Sequence, residues 1–116
     1  MLRLAADADV HGDVIRGLRI LLPELDLVRV QDAGLGSAAD PSILECAAGE
    51  GRVHITADRN TMVGFAWDRV KRGLRMPGLL ALKPKTGIGE AIDELALIAE
   101  CFTPEECENF VRFVPL

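Results

Sequence analysis

Four aspartates lie beside apolar segments in an arrangement that suggests a shared site. Asp7 and Asp9 come directly after the first apolar segment, Asp58 follows a later one by two residues, and Asp40 opens a predicted helix. Clustered carboxylates repel one another and raise each other's pKa values unless a cation compensates. Oxygen ligands suit Mg²⁺ or Mn²⁺ better than zinc, and such ions with their waters support phosphodiester cleavage. The sequence therefore predicts a Mg²⁺ or Mn²⁺ site.

Each aspartate also has a simpler structural interpretation. Asp40 fits an N-cap, Asp58 could cap the helix that begins near Thr61, and Asp9 or Asp13 could cap the first helix. Asp7 is different, because it ends a predicted buried strand, where a carboxylate without a partner is costly. The joint pattern favours a site over four independent caps.

Further polar residues flank these aspartates. Asn60 is close enough to Asp58 in sequence to join the metal ligands. Arg59 directly follows Asp58 and could neutralise charge that develops on a phosphate, which makes it a candidate catalytic residue. Lys83 and Lys85 follow a later predicted strand and could contact a phosphate backbone.

The spacing of apolar residues predicts the elements that must position these side chains. Strands are predicted at residues 2–6, 25–30, 53–56, 79–82 and 111–114, with helices between them. One helix begins at Asp40-Pro41, where an N-cap acceptor precedes proline at the first helical position. Such alternation predicts a small α/β doubly wound domain, in which helices cover both faces of a parallel sheet in three layers.

The simplest strand order places the first strand between the second and the third. Ligands bind beyond the carboxyl ends of parallel strands, where the strand order reverses. Asp7 and Asp58 follow strands that end at this edge, and the helix opened by Asp40 starts there. We therefore expect the acids to meet at one edge of the sheet.

The composition is that of a folded domain. The chain has 116 residues, 49% of them hydrophobic and 27% charged, which predicts a single domain over residues 1–116. The net charge of −5 and the scarcity of aromatic residues argue against simple nucleic-acid binding. A bound divalent cation would, however, make the charge around the acids locally positive and so permit contact with a phosphate backbone. The three cysteines form no zinc or disulfide pattern, and no apolar run suits a leader or membrane span, so we expect a cytoplasmic protein without membrane contact.

Several predictions concern packing. His54 alternates with Val53 and Ile55 in a strand and is expected in the core, whereas His11 is expected at the surface. Trp67 is expected on the buried stripe of the third helix. The helix at residues 88–99 is apolar on nearly every side, which predicts a homodimer or another protein partner.

Three motifs, in this order, resemble a bacterial PIN-like family of unknown function. They are Leu4-Ala5-Ala6-Asp7-Ala8-Asp9, Asp40-Pro41-Ser42-Ile43-Leu44 and Gly51-Arg52-Val53-His54-Ile55-Thr56-Ala57-Asp58-Arg59. The resemblance implies a Mg²⁺- or Mn²⁺-dependent ribonuclease with an RNA substrate, as in the toxin half of pairs with a small antitoxin-like protein. It also implies metal-ligand roles for Asp7, Asp40 and Asp58.

The sequence departs from the PIN pattern at two places. Ala8-Asp9 stands where the family usually has Asp-Asn or Glu-Asn, and Asn60-Thr61 stands where it usually has Asp-Phe. The extra glutamate of many active PIN toxins has no clear counterpart. A PIN-fold interaction module that cleaves nothing is therefore the main alternative.

Two enzyme-like alternatives use phosphoaspartate chemistry. Asp7-Ala8-Asp9-Val10 resembles the first motif of haloacid-dehalogenase-type phosphatases, but no second acidic pair follows late in the sequence. A receiver domain would use Lys83 after the fourth strand, yet its acceptor aspartate should end the third strand, where Thr56 stands. Both fit the sequence less well than the PIN-like interpretation.

Overall fold

The fold is a five-stranded sheet with helices on both sides, as seen in a computed structural model that describes residues 1–36 and 38–115. The strands are β1 (Leu4–Ala6), β2 (Leu27–Arg29), β3 (Val53–Thr56), β4 (Leu79–Leu82) and β5 (Val111–Val114). The helices are α1 (Gly12–Leu21), α2 (Asp40–Glu50), α3 (Thr61–Lys71), α4 (Ile88–Cys101) and α5 (Pro104–Cys107). The predicted α/β class is confirmed.

All strand pairs are parallel, in the order β2-β1-β3-β4-β5. Leu4 of β1 pairs with Leu27 of β2 on one side and with Val53 of β3 on the other. The predicted placement of the first strand between the second and third is thus confirmed. The strand order reverses beside β1, so the carboxyl ends of β1 and β3 form the edge at which a ligand is expected.

The helices divide into two layers. Helices α1 and α4 pack together on one face of the sheet, and α2 and α3 cover the other. Gly17 permits a close approach of α1 to α4, because a Cβ atom at this position would lie 2.2 Å from Cδ1 of Ile92. The result is the predicted three-layer, doubly wound arrangement.

Two helix starts differ from their predicted caps. Asp40 is the first helical residue of α2 rather than its N-cap, which is Ala39, and no side chain caps this helix. Helix α1 is capped by His11, whose Nδ1 accepts the Asp13 N–H at 3.0 Å. Neither Asp9 nor Asp13 caps α1, so the structure leaves the carboxylate of Asp9 available for other contacts.

The buried stripe of α3 is rotated from the predicted one. Met62, Ala66 and Arg69 face inward, whereas Trp67 is 43% exposed, so its prediction as a core residue was wrong. Burial of Arg69 accounts for the difference. Its guanidinium donates to Arg75 O at 3.0 and 2.8 Å and pairs with Glu45, so its charge is satisfied inside the fold.

Arg52, from the third resemblance motif, acts at the amino edge of the sheet. Its guanidinium pairs with Glu50 at 2.6 Å and with Asp26 at 2.7 Å, and it donates to Leu4 O at 3.2 Å. These bonds join the starts of β1 and β3 to the end of α2. This part of the motif is therefore structural and lies opposite the edge that carries the aspartates.

Helix α4 is buried on one side only. Ala91, Leu95 and Ile98 are buried, while Leu97 is 56% exposed. Among the described residues no helix is both long and apolar enough to cross a membrane.

Candidate functional site

The four predicted aspartates line one open depression at the carboxyl edge of the sheet. Asp7 and Asp9 reach it from the segment after β1, Asp40 from the start of α2, and Asp58 from the segment after β3. Its apolar side includes Val30, directly after β2, together with Ile43 of α2. The topology thus brings together acids that are as many as 51 positions apart in the sequence, from Asp7 to Asp58.

Asp7 is the most firmly held of the four. Only 8% of the residue is exposed, and its N–H donates to Ile55 O at 2.8 Å, which extends the pairing of β1 with β3. Oδ2 accepts the Thr56 hydroxyl at 2.9 Å. Burial raises the pKa of Asp7, but the approach of His54 and the hydrogen bonds from Thr56 and Ala8 outweigh it, so the pKa is lowered overall. Asp7 is therefore a fixed, ionised carboxylate.

His54 lies beside Asp7 in the interior. It is buried, as predicted, with 1% exposure, and its Nε2 is 3.6 Å from Asp7 Oδ1. This distance is longer than a hydrogen bond, and neither imidazole nitrogen has a hydrogen-bond partner among the described residues. The contact is therefore a close approach without a hydrogen bond. The strand register brings these two residues together. His54 pairs with Ala5, and Asp7 follows Ala5 by two residues, so His54 and Asp7 lie on the same face of the sheet.

Thr56 connects two of the aspartates, a role that the sequence analysis missed. Its hydroxyl donates to Asp7 Oδ2 and accepts the N–H of Asp58 at 3.0 Å. Thr56 is fully buried at the end of β3, so its bond to Asp7 is buried, while its bond to the Asp58 N–H is partly buried. One hydroxyl therefore fixes the carboxylate of Asp7 and the backbone from which Asp58 projects.

Asp58 is further fixed by the backbone at the start of α3. Its Oδ1 accepts the N–H groups of Asn60 and Thr61 at 2.9 and 3.0 Å. Asp58 thus holds the turn that leads into α3, although Asn60, and not Asp58, is the N-cap residue of this helix. Asp58 uses one carboxylate oxygen for this turn, and Oδ2 has no protein hydrogen-bond donor within residues 1–36 and 38–115.

Asp9 and Asp40 are more weakly held, and both have raised pKa values. Oδ1 of Asp9 accepts the Ala57 N–H at 3.1 Å. Desolvation raises the pKa of Asp9, the Ala57 bond opposes this, and the charges of Asp7 and Asp58 raise it further. Desolvation also raises the pKa of Asp40, again with contributions from Asp7 and Asp58. The four carboxylates thus lie close enough to repel one another.

The other predicted site residues lie outside this depression. Arg59 and Asn60 are exposed and are not among its lining residues. Lys83 and Lys85 line a neighbouring depression, together with His11 and with Asp9, which borders both. Basic side chains therefore adjoin the acids without entering the acidic depression.

The donor set suits a hard divalent cation, although it is not a closed cage. Within the described part of the chain, no three or more Asp, Glu, His or Cys side chains are placed to hold one ion together. Mg²⁺ commonly keeps several waters and is bound through one or two carboxylates plus substrate phosphates. The mutual repulsion of the four carboxylates also favours a cation. The residues present therefore fit Mg²⁺ or Mn²⁺ in an open site.

No protein-family model matches this chain, and no curated protein or solved structure shows significant similarity to it.

Proposed function

We propose that this chain is a Mg²⁺- or Mn²⁺-dependent phosphodiesterase of the PIN-like type that cleaves single-stranded RNA. The observation that supports it is the meeting of four carboxylates from three chain segments in one open depression. Asp7, Asp9, Asp40 and Asp58 would hold the ions, and Asn60, outside the depression, would need to turn toward it to contact their waters. Such ions supply Lewis-acid activation of water and stabilisation of the leaving oxygen.

The four aspartates have different roles in the proposed site. Asp7 provides a carboxylate that stays ionised, because Thr56 and the neighbouring His54 keep its pKa low. Asp9 and Asp40, whose pKa values are raised by desolvation and by their neighbours, gain most from an added positive charge. Backbone N–H groups hold one oxygen of Asp58, and the other has no protein hydrogen-bond donor among the described residues. These contacts hold the carboxylates of Asp7 and Asp58 in place before substrate binds.

The proposal assigns the nearby basic residues to the RNA backbone. Lys83 and Lys85 line the depression that meets the acidic one at Asp9, which suits phosphates next to the cleaved bond. Arg59, the catalytic candidate beside Asp58, would neutralise charge on the reacting phosphate after substrate binds.

The proposal also includes a biological setting. A PIN-like ribonuclease of this size suits the toxin half of a cytoplasmic toxin–antitoxin pair, held inactive by a small antitoxin-like protein. The three cysteines are free thiols, which is compatible with a reducing compartment. Leu97, exposed on α4, supports a protein partner, and we assign it to a homodimer contact.

An interaction module without catalytic activity is the second candidate. It is favoured by one observation, namely that no three potential ligands converge on one ion position among the described residues. A pure binding module should be indifferent to both Mn²⁺ and EDTA, whereas a nuclease depends on the ion.

The test is cleavage of a mixed set of single-stranded RNAs by purified protein, with Mn²⁺ and with EDTA. We expect slow cleavage that requires Mn²⁺ and that falls by about a hundredfold or more in Asp58→Asn, because the charge of a metal-binding carboxylate is lost. Asp68→Asn, an exposed aspartate on α3 outside the depression, is the charge-matched control. Equal cleavage by wild type and Asp58→Asn would identify a contaminant, and absence of cleavage in every condition would favour the binding module.

A further inference from the structure

A second depression, between α1 and the edge strand β2, is lined by three arginines. Arg16 and Arg19 reach it from α1 and Arg29 from β2, and the remaining lining residues are Gly12, Ile15 and Ile20. The depression has a volume of about 320 Å³, and no carboxylate lines it. This concentration of positive charge is unexpected in a chain whose net charge is −5.

The arginines are incompletely neutralised by the protein. Arg16 pairs with Asp13 at 2.6 Å, while Arg19 donates to the backbone oxygen of Leu27 at 3.1 Å. Arg29 has no carboxylate within 4.0 Å among the described residues, and its enclosed Nε lacks a hydrogen-bond partner. Three guanidiniums against the one carboxylate of Asp13 leave a local charge of +2. An unsatisfied enclosed donor is costly, so an anionic ligand on this guanidinium would recover energy that the fold alone leaves unused.

The arginine depression adjoins the acidic depression across the end of β2. Arg29 pairs with Ala6, the residue immediately before Asp7. The next residue, Val30, lines the acidic depression. Neighbouring strands are about 4.8 Å apart, so the backbone of Arg29 lies within one strand spacing of the end of β1. Arg29, the last residue of β2, and Val30, the residue after it, thus line two depressions of opposite charge.

We propose that the arginine depression binds a phosphodiester of the single-stranded substrate, next to the segment held over the acids. This inference rests on the proposed function. Planar guanidiniums match phosphate oxygens in paired hydrogen bonds, and phosphate contacts set the position of a nucleic acid without reading its sequence. An RNA strand approaching an acidic chain needs local positive charge, and this depression supplies it at the same edge of the sheet. RNA is therefore favoured over an acidic protein segment, which has no such need to approach the carboxylates.

The test measures RNA binding without cleavage. A 5′-labelled single-stranded RNA is titrated in EDTA at several salt concentrations and followed by fluorescence anisotropy. The double variant Arg16→Gln/Arg19→Gln changes two exposed side chains and should fold. We expect its affinity to fall by about tenfold or more and its salt slope to fall by about 1.4, at roughly 0.7 for each lost phosphate contact. The control Lys71→Gln/Arg72→Gln removes the same charge from the end of α3 and should change binding little.

The outcomes separate this inference from the proposed function. Unchanged affinity and salt slope in the α1 double variant, or equal losses in both double variants, would overturn the arginine assignment. Binding of polyglutamate that requires the α1 arginines, without RNA binding, would also overturn it and identify an acidic protein as the ligand. If RNA binding depends on these arginines but wild type never cleaves RNA with Mn²⁺, the assignment stands and the nuclease proposal fails. If Mn²⁺-dependent cleavage occurs and the arginines do not affect binding, only the assignment fails.

Discussion

The hydroxyl of Thr56 donates a 2.9 Å hydrogen bond to Oδ2 of Asp7, across the pairing of β3 with β1. The hydroxyl oxygen of Thr56 also accepts the N–H of Asp58. A single buried side chain thus sets the relation between two of the predicted metal ligands.

Thr56→Val should lower both stability and metal affinity. Valine keeps the shape of threonine but removes the donor to Asp7 and leaves the Asp58 N–H without its acceptor. Loss of a partner from such buried groups costs about 1–3 kcal/mol, which urea unfolding will measure. Thr56→Ser keeps the hydroxyl and should retain most of the lost stability and Mn²⁺ affinity. A Thr56→Val protein as stable as wild type would contradict the linking role of this hydroxyl.

Asp7→Asn should weaken Mn²⁺ binding by about tenfold or more, since the amide lacks the negative charge that attracts the ion. Isothermal titration calorimetry on wild type and variant provides the measurement. Asp68→Asn, which removes an equal charge far from the depression, should bind Mn²⁺ as wild type does. Unchanged affinity in Asp7→Asn would show that the metal site is assigned to the wrong residues.

The crowding of carboxylates predicts a pH-dependent effect of Asp9→Asn. The pKa of Asp9 is raised in the folded protein by desolvation and by Asp7 and Asp58, relative to the ordinary value of 3.8. As pH rises from 3.8 through the raised pKa, the folded state holds more protons than the unfolded state, so stability falls across that window. The loss of folding stability caused by ionised Asp9 is complete above its raised pKa and absent well below 3.8.

Asparagine can still accept the Ala57 N–H but carries no charge. Asp9→Asn should therefore raise the free energy of unfolding at pH 7 by about 0.2–1 kcal/mol and leave it unchanged near pH 3. Denaturant unfolding at both pH values will measure the difference. A larger benefit at pH 3 than at pH 7 would refute this account of the carboxylate cluster.

The exposed side chain of Leu97 predicts association through α4. Wild type should show a concentration-dependent dimer in analytical ultracentrifugation, and Leu97→Glu should be monomeric, because a buried charge at the contact would be costly. Trp67→Glu, an equally drastic change at the exposed Trp67 of α3, should leave the dimer intact. A wild type that remains monomeric at high concentration would remove the argument for this contact.

The sequence was sufficient for the features that depend on repeating patterns. Alternating apolar segments predicted the parallel strands, and the connection rules placed β1 between β2 and β3, which brings Asp7, Asp40 and Asp58 to one edge. These features follow from chain direction, which sequence order encodes.

Features that depend on contacts between secondary-structure elements could not be predicted from the sequence as well. The burial of Arg69 in place of Trp67 depends on acceptors supplied by Arg75 and Glu45, which no periodicity reveals. Likewise, Arg29 joins Arg16 and Arg19 only because α1 lies beside the edge strand. Thr56 looked like an ordinary strand residue because its importance lies in two cross-element hydrogen bonds.

The N–H of Asp7 is part of the sheet itself, since it donates to Ile55 O at 2.8 Å between the two central acid-bearing strands. Amides in such central positions exchange with solvent deuterium only when the whole domain opens. The carboxylate most firmly held in the depression is therefore attached to the part of the backbone that opens last. A local opening at the start of α2 would leave Asp7 and Ile55 joined.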